Sequence, residues 1–523
     1  MGLALASLLT FGDARRGPPP VAPNPCRANA TVEPKFHIYN MGIGPHDPNA
    51  IFRYQGVWHV YHQANWTDWA HLTSYDLVHW LRRPSALYPN GDWDGSLTLL
   101  DGEPLILFDC YSVADCRPLV TGNGGRFSSA YPLDPPHVGV ARPANTSDPH
   151  LLDWVKDTLN PITVTSSTGA PITRGYAGPS NVWRAAGAMQ MLMQLGEKIA
   201  RFESTDPRLH NWSAADPAFF PSGGRGGRGS ESIAFFPLRP TPPAGGPTHL
   251  LGGLWPSGTA HYSVGTAWYY LVTYNATSRS LINASGAIAQ PLDSSALVNW
   301  PITHEAGDGR LLHLAWFNVQ PTQGCLTVPR TVTYDATTRK LLALPVAEIA
   351  TLRTESLGKR ASVVLAPGAS LSLFDQGKVS TTFDLEAEIG LPTTATSQLR
   401  LSLLAKSATS AAVLVDVHAS APANDGCRSI NMSAAVPHAT DAKYNTTGIS
   451  FLLPATSPLA IRALADRMLV EVFIGGGRGV VSSPVLAPDP TFASAFVTNI
   501  GDAGVTLASA QAWGMGCGWA RYP

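Results

Sequence analysis

At 523 residues the chain is too long for one ordinary hydrophobic core, so two domains are expected. Its net charge of −1 excludes the basic footprint of a nucleic-acid binder, and no apolar run approaches the ~18 residues that a membrane span requires. Glycine (48) and proline (44) are too frequent for a helical protein and suit short strands joined by turns, which points to an all-β fold.

Residues 1–33 are Pro- and Ala-rich without periodicity and read as a leader and tail. The opening MGLALASLLTFGDA has an apolar stretch followed by the small residues Gly12 and Ala14, as in a signal peptide that lacks its basic start. Eight N-x-S/T sequons, at Asn29, Asn65, Asn145, Asn211, Asn275, Asn283, Asn431 and Asn445, agree with a secretory route to the cell exterior or a vacuole. Six cysteines, none in a C-x-x-C pair, permit disulfides and disfavour zinc. Cys110 with Cys116 and Cys427 with Cys517 are the expected bridges, with buried free thiols the alternative.

From residue 36 to about 345, strand-like runs such as IFRYQGVWHVYHQ, AMQMLMQL and RLLHLAWFNV recur between turn residues, often as pairs around a tight turn like Asp101-Gly102. Such pairs suit a β-propeller over 34–342, although no sequence repeat sets the number of blades. LALPVAEIATLR (342–353) carries Val346, Ile349 and Leu352 on one face and predicts a helix within a connector over 343–359. Beyond it, alternating runs such as AAVLVDVHA and RMLVEVFIG predict a β-sandwich over 360–523. SGGRGGRGS (222–230) has two arginines and no aromatic repeat, so it reads as a flexible loop and not as an RNA-binding segment.

The stretch GPHDPNAIFRYQGVWHVYHQ (44–63) wedges Asp47 between His46 and Pro48 at the start of an aromatic strand. An ionised carboxylate at a buried strand start is costly unless donors surround it or chemistry needs it. Asp-Pro also forms plain turns. The residues alone leave both open.

PHDPNAIFRYQGVWHVYHQ resembles the first signature of glycoside hydrolase family 32, the invertase and fructan hydrolase family, which reads Trp-Met-Asn-Asp-Pro-Asn-Gly before an aromatic strand. WAHLTSYDLVHW (69–80), WDGSLT (93–98, against Trp-Thr-Gly-Ser-Ala-Thr), NTSDPHLLDWVKDTLNP (145–161) and VPRTVTYD (328–335) follow in that family's order. LPVAEIATLR (344–353) is similar to its interdomain connector, and DLEAEI (384–389) with DRMLVEVFIGGGRGVVSS (466–483) to its sandwich. SESIAFFPL (230–238) looks like its Trp-Glu-Cys-Pro-Asp-x-Phe-Pro stretch.

The resemblance implies a five-bladed propeller followed by a β-sandwich, and a retaining hydrolysis of fructosyl linkages in sucrose or a fructan. Asp47 matches the nucleophile and Glu231 the acid/base, which such a mechanism needs about 5–5.5 Å apart. Apolar Ile233, Phe235 and Phe236 would give Glu231 the dry surroundings that keep a carboxylic acid protonated. His46, Asn49, Gln63, Trp69, Trp93 and Ser96 fall at substrate-binding positions. Two carboxyls and water need no metal and no cofactor.

The chain departs from the family at several positions, among them Gly44 and Ser230 for Trp and Ser232-Ile233 for Cys-Pro, and most heavily at one motif. The family's Arg-Asp-Pro, whose Asp grips two fructose hydroxyls, is represented in RGYAGPSNVW (174–183) by Ala177, Gly178 and Pro179. Loss of such a partner of the transition state costs about 2.7–4 kcal/mol, or a hundred- to thousandfold in rate. Arg174 or Arg184 is the expected replacement for the lost cation, and His46 stands where the family has Asn, to contact substrate or to hold Asp47 ionised. Restoring Arg and Asp at 177 and 178 is expected to raise fructose release. Two other readings follow from the departure: a non-catalytic carbohydrate-binding relative with Trp66, Trp69 and Trp93 as platforms, or a fructosyltransferase.

Overall fold

A computed structural model describes residues 26, 33–39, 45–64, 68–88, 92–110, 116–117, 137–173, 176–196, 198–221, 230–254, 267–282, 287–318, 324–437, 439–486 and 489–519. The leader (apart from Cys26 and Glu33), the glycine-rich loop at 222–229, Trp66 and Arg174 lie outside that set, as do the side chains of Trp93, Ala177 and Glu231.

Five sheets follow one another through residues 45–87, 92–156, 163–221, 230–291 and 298–345. The first is a plain antiparallel meander of Pro45–Tyr54, Val57–Ala64, Asp68–Ser74 and Leu81–Leu87, and the second repeats the pattern. The middle strands of the first sheet are buried on both faces: Val57–Ala64 and Asp68–Ser74 are buried at every position. What covers those faces is the next sheet. Phe52 and Tyr61 pack on Leu97 and Ile106, Leu107 and Val140 on Met191 and Phe202, and Leu192 and Ile199 on Phe235 and Leu251. Phe236 and Leu250 pack on Leu311 and Val332, and Ile302 and Leu314 return to Ile51 and Val60. The chain of interfaces closes on itself, so the sheets form a ring in the manner of a β-propeller, a closure that leaves no open sheet face.

The predicted helix is a 3-10 helix confined to Ala347–Leu352, with Ile349 and Leu352 buried beside buried Val346. Three residues per turn is the 3-10 repeat, so the 346, 349, 352 spacing fits it better than an α-helix. Strands abut it on both sides, ending at Pro345 and starting at Arg353, so helical structure does not extend over the rest of 343–359.

Two six-stranded sheets form the C-terminal sandwich. Its strands alternate as expected: in Ser410–Ala419, Val413, Val415, Val417 and Ala419 face the core between strand neighbours that are less buried. Each such valine contributes about 1.5–3 kcal/mol of burial free energy.

The cysteines pair as Cys110–Cys116 and Cys26–Cys517, the second with Cα atoms 5.8 Å apart across 491 residues of sequence. The expected Cys427–Cys517 bridge is therefore corrected: Cys427 is a free, half-buried thiol and Cys325 a free, buried one. Burial pushes the Cys325 thiol well above its ordinary pKa, which makes it inert. Cys26→Ser is expected to lower unfolding free energy by about 2–4 kcal/mol, and Cys427→Ser to leave it unchanged, as read by urea unfolding of the two variants.

Candidate active site

Asp47 is set by a bulge. Pro45 faces Ala64 and Pro48 faces His62, so His46 and Asp47 stand against the single residue Gln63, and a second irregularity before Ala50 takes up Asn49. The same device recurs in other sheets. Asp92 faces Cys110 and Gly95 faces Phe108, leaving Trp93 and Asp94 against Asp109. Ser230 faces Leu254 and Ala234 faces Gly252, which puts Glu231 in an irregular stretch opposite Gly253. Asn299 faces Trp316 and Ile302 faces Leu314, leaving Trp300 and Pro301 against Ala315. A bulge bends its strand and re-aims the side chains it carries.

These bulged strands are the ones that converge. Pro45–Tyr54 packs against both Asp92–Leu100 and Val298–Glu305, and Ser230–Pro237 packs against the same two strands. The strands carrying Asp47 and Glu231 are thus brought to the shared centre of the ring from positions far apart in sequence. Ile233 and Phe235 on the Glu231 strand are buried with Phe219 and Tyr270 in the core between the third and fourth sheets.

Asp47 is 7% exposed and His46 5%. The His46 ring lies 4.7 Å from that of Trp316. Burial pushes its pKa down to about 4, so above that pH it is a neutral imidazole. His46 therefore does not hold Asp47 ionised as a neighbouring cation. Gln63 is buried and donates from Nε2 to Asp94 Oδ1 at 2.8 Å. Ser96 donates to the carbonyl of Ser180 at 2.6 Å. Trp69 has no exposed surface and belongs to the core between the first and second sheets, so it is not an open stacking platform. Asn49 is buried, and neither atom of its amide has a hydrogen-bond partner among the described residues. Arg184 is drawn to Asp101 at the exposed Asp101-Gly102 turn (2.5 Å), which removes it as the replacement cation.

Residues 178–181 tie the sheets together around this centre. The Gly178 N–H donates to Asp109 Oδ2 at 2.9 Å, and Asn181 exchanges two hydrogen bonds with the Phe235 backbone, at 2.8 and 2.9 Å. Asp94 and Asp109 are buried acids that the sequence reading passed over. One signal was present: WDGSLT carries Asp94 where the family segment has Thr.

A closed ring of sheets with acids on bulged inner strands, joined to a β-sandwich, defines the propeller class of glycosidases. Residues 45–345 match the glycosyl hydrolases family 32 N-terminal domain and residues 348–514 the family's C-terminal domain, and the chain belongs to glycoside hydrolase family 32. A beta-fructofuranosidase, insoluble isoenzyme CWINV1, of Arabidopsis thaliana is 25% identical over 92% of this chain and 90% of its own length. A beta-fructofuranosidase, insoluble isoenzyme 1, of Oryza sativa subsp. japonica is 26% identical over 90% of this chain and 88% of its own. Among solved structures, fructan 1-exohydrolase IIa from Cichorium intybus superposes with a TM-score of 0.73 at 20% identity, covering 93% of this chain and 98% of that one.

Proposed function

We propose that the protein is a β-fructofuranosidase-type hydrolase that cleaves fructosyl linkages of sucrose or a fructan with retention. Asp47 attacks the anomeric carbon of fructose while Glu231 protonates the departing glycosidic oxygen; Glu231 then takes a proton from water, whose oxygen displaces Asp47. The observation that carries this reading is the convergence of the two bulged strands bearing Asp47 and Glu231 on the same pair of neighbours. On this reading the five sheets are five blades, the propeller spans 34–342, and the sandwich follows the 343–359 connector. His46, Asn49, Gln63, Trp93 and Ser96 line the fructosyl subsite.

The route is secretory, to the exterior or a vacuole, and the product is a glycoprotein. Asn145, Asn211, Asn275, Asn431 and Asn445, the described sequon asparagines, are all exposed, as glycan attachment requires. A non-catalytic sugar-binding reading is favoured by one observation, the Ala177-Gly178 replacement. Incubating the protein with sucrose, 1-kestose and inulin and measuring free fructose decides between them. Release that Glu231→Gln abolishes is the expected result; an inert wild type that still binds sugar by calorimetry overturns the hydrolase.

A further inference from the structure

The site keeps a carboxylate at the place where the sequence lacks one. Gly178 has φ +63, a left-handed conformation, and its N–H points to Asp109 Oδ2 at 2.9 Å. Asp109 comes from the second strand of the second sheet, Glu103–Cys110, and is 5% exposed. It also sits opposite the bulge that holds Asp94, and Asp94 receives Gln63, which sits opposite the bulge that holds Asp47. Strand register sets Asp47 opposite Gln63 and Asp94 opposite Asp109, and the Gln63–Asp94 hydrogen bond joins the two pairs across neighbouring sheets.

We propose that Asp109 is a catalytic residue of the fructosyl subsite, supplying from the neighbouring sheet the carboxylate that grips ring hydroxyls in place of an acid at 178; this rests on the hydrolase reading above. The Gly178 N–H holds the Asp109 carboxylate against the backbone at the position of the lost acid. Sugar hydroxyls are the donors such an acceptor takes, in short charge-assisted bonds that strengthen as positive charge builds on the ring. A second observation points to a ligand on the Asp47 strand. Asn49, two residues from Asp47 and buried, has an amide with no hydrogen-bond partner among the described residues, a cost that a bound polyhydroxyl ligand relieves.

The placement also reverses the expectation for Gly178→Asp. A second carboxylate at 178 would face Asp109 in a buried site, where like charges disfavour each other's ionisation. On its own the substitution is expected to lower activity. Combined with Asp109→Asn it moves the carboxylate across the contact without adding one, and Asp tolerates the left-handed conformation better than most residues.

The test measures kcat and KM for fructose release from sucrose by wild type, Asp109→Asn, Gly178→Asp and the double variant, with thermal midpoints alongside. Asp109→Asn is expected to reduce kcat/KM on the order of 10²–10³-fold, and the double variant to recover at least tenfold of that. Wild-type-like kcat/KM in folded Asp109→Asn overturns the inference and leaves the hydrolase reading standing. If Asp109→Asn does not fold, the double variant decides: folded and active supports the inference, folded and inert overturns it. An inert wild type removes the hydrolase reading and the inference with it.

Discussion

Asp47→Asn is expected to reduce fructose release on the order of a thousandfold or more while leaving the fold intact. The amide matches the carboxylate in size, so it fits the same two-against-one bulge opposite Gln63. On the proposed mechanism it lacks the anionic oxygen that would bond to the anomeric carbon. The covalent intermediate is then inaccessible, and what remains is acid-assisted attack by water. Because the His46 pKa lies at about 4, the pH–rate profile of the wild type above pH 5 is expected to carry no limb from that residue. The assay is initial-rate fructose release from sucrose between pH 4 and 8, with a thermal melt as the fold control. Equal rates in Asp47→Asn and wild type would remove Asp47 from the chemistry.

How much of the fold can be read in the sequence follows from how the two kinds of sheet bury their residues. The sandwich strands have one covered face, so Ser410–Ala419 alternates visibly and its class can be read directly. The middle strands of the first propeller sheet are covered on both faces. Val57–Ala64 is buried throughout although it contains His59, His62 and Gln63, so no period marks it. Those polar residues are tolerated because partners reach them: His59 and His71 meet at 3.0 Å, and Gln63 meets Asp94. The bulges are equally silent, since an extra residue in a strand looks like any other residue until its partner strand is known.

Local motifs brought Asp47 and Glu231 into view, but Asp109 has value only through its contact with Gly178, 69 positions away. The same distance effect explains the disulfide error. Cys427 and Cys517 lie in one domain and looked like partners, yet the chain returns at Gly518, whose N–H binds the Lys35 carbonyl, and this carries Cys517 back to Cys26.

Arg330→Met is expected to cost about 3–5 kcal/mol of stability. Arg330 belongs to the fifth sheet and has no exposed side-chain surface, and it lies 2.8 Å from Asp293 and 2.9 Å from Glu471 of the sandwich. Glu471 in turn takes His37 Nε2 at 3.0 Å, while His37 Nδ1 lies 2.8 Å from Asp466. Asp466 also receives the backbone N–H groups of Lys35, Phe36 and His37. One buried ionic cluster thus fastens the N-terminal segment, the ring and the sandwich to each other. Removing its central cation leaves the buried Asp293 and Glu471 carboxylates without the guanidinium that neutralises them.

Arg400, half-exposed and paired with Asp416 at 2.7 Å, is the control, since its loss is expected to cost no more than about 1 kcal/mol. Burial disfavours charge on His37, but its hydrogen bonds to Asp466 and Glu471 prevail and push its pKa up to about 9 from 6.5. Burial likewise opposes the Glu471 anion, and the charge of Arg330 and the His37 bond prevail to bring its pKa down to about 2 from 4.5. The His37 contribution is complete below pH 6.5 and fades as the pH rises towards 9, and that of Glu471 is complete above pH 4.5 and fades as the pH falls towards 2. Urea unfolding should therefore show a wild-type optimum between those two limits, and flatter pH dependence in Arg330→Met. A variant within 1 kcal/mol of wild type at pH 5.5 would mean that hydrophobic contact between the domains, and not the cluster, holds them together.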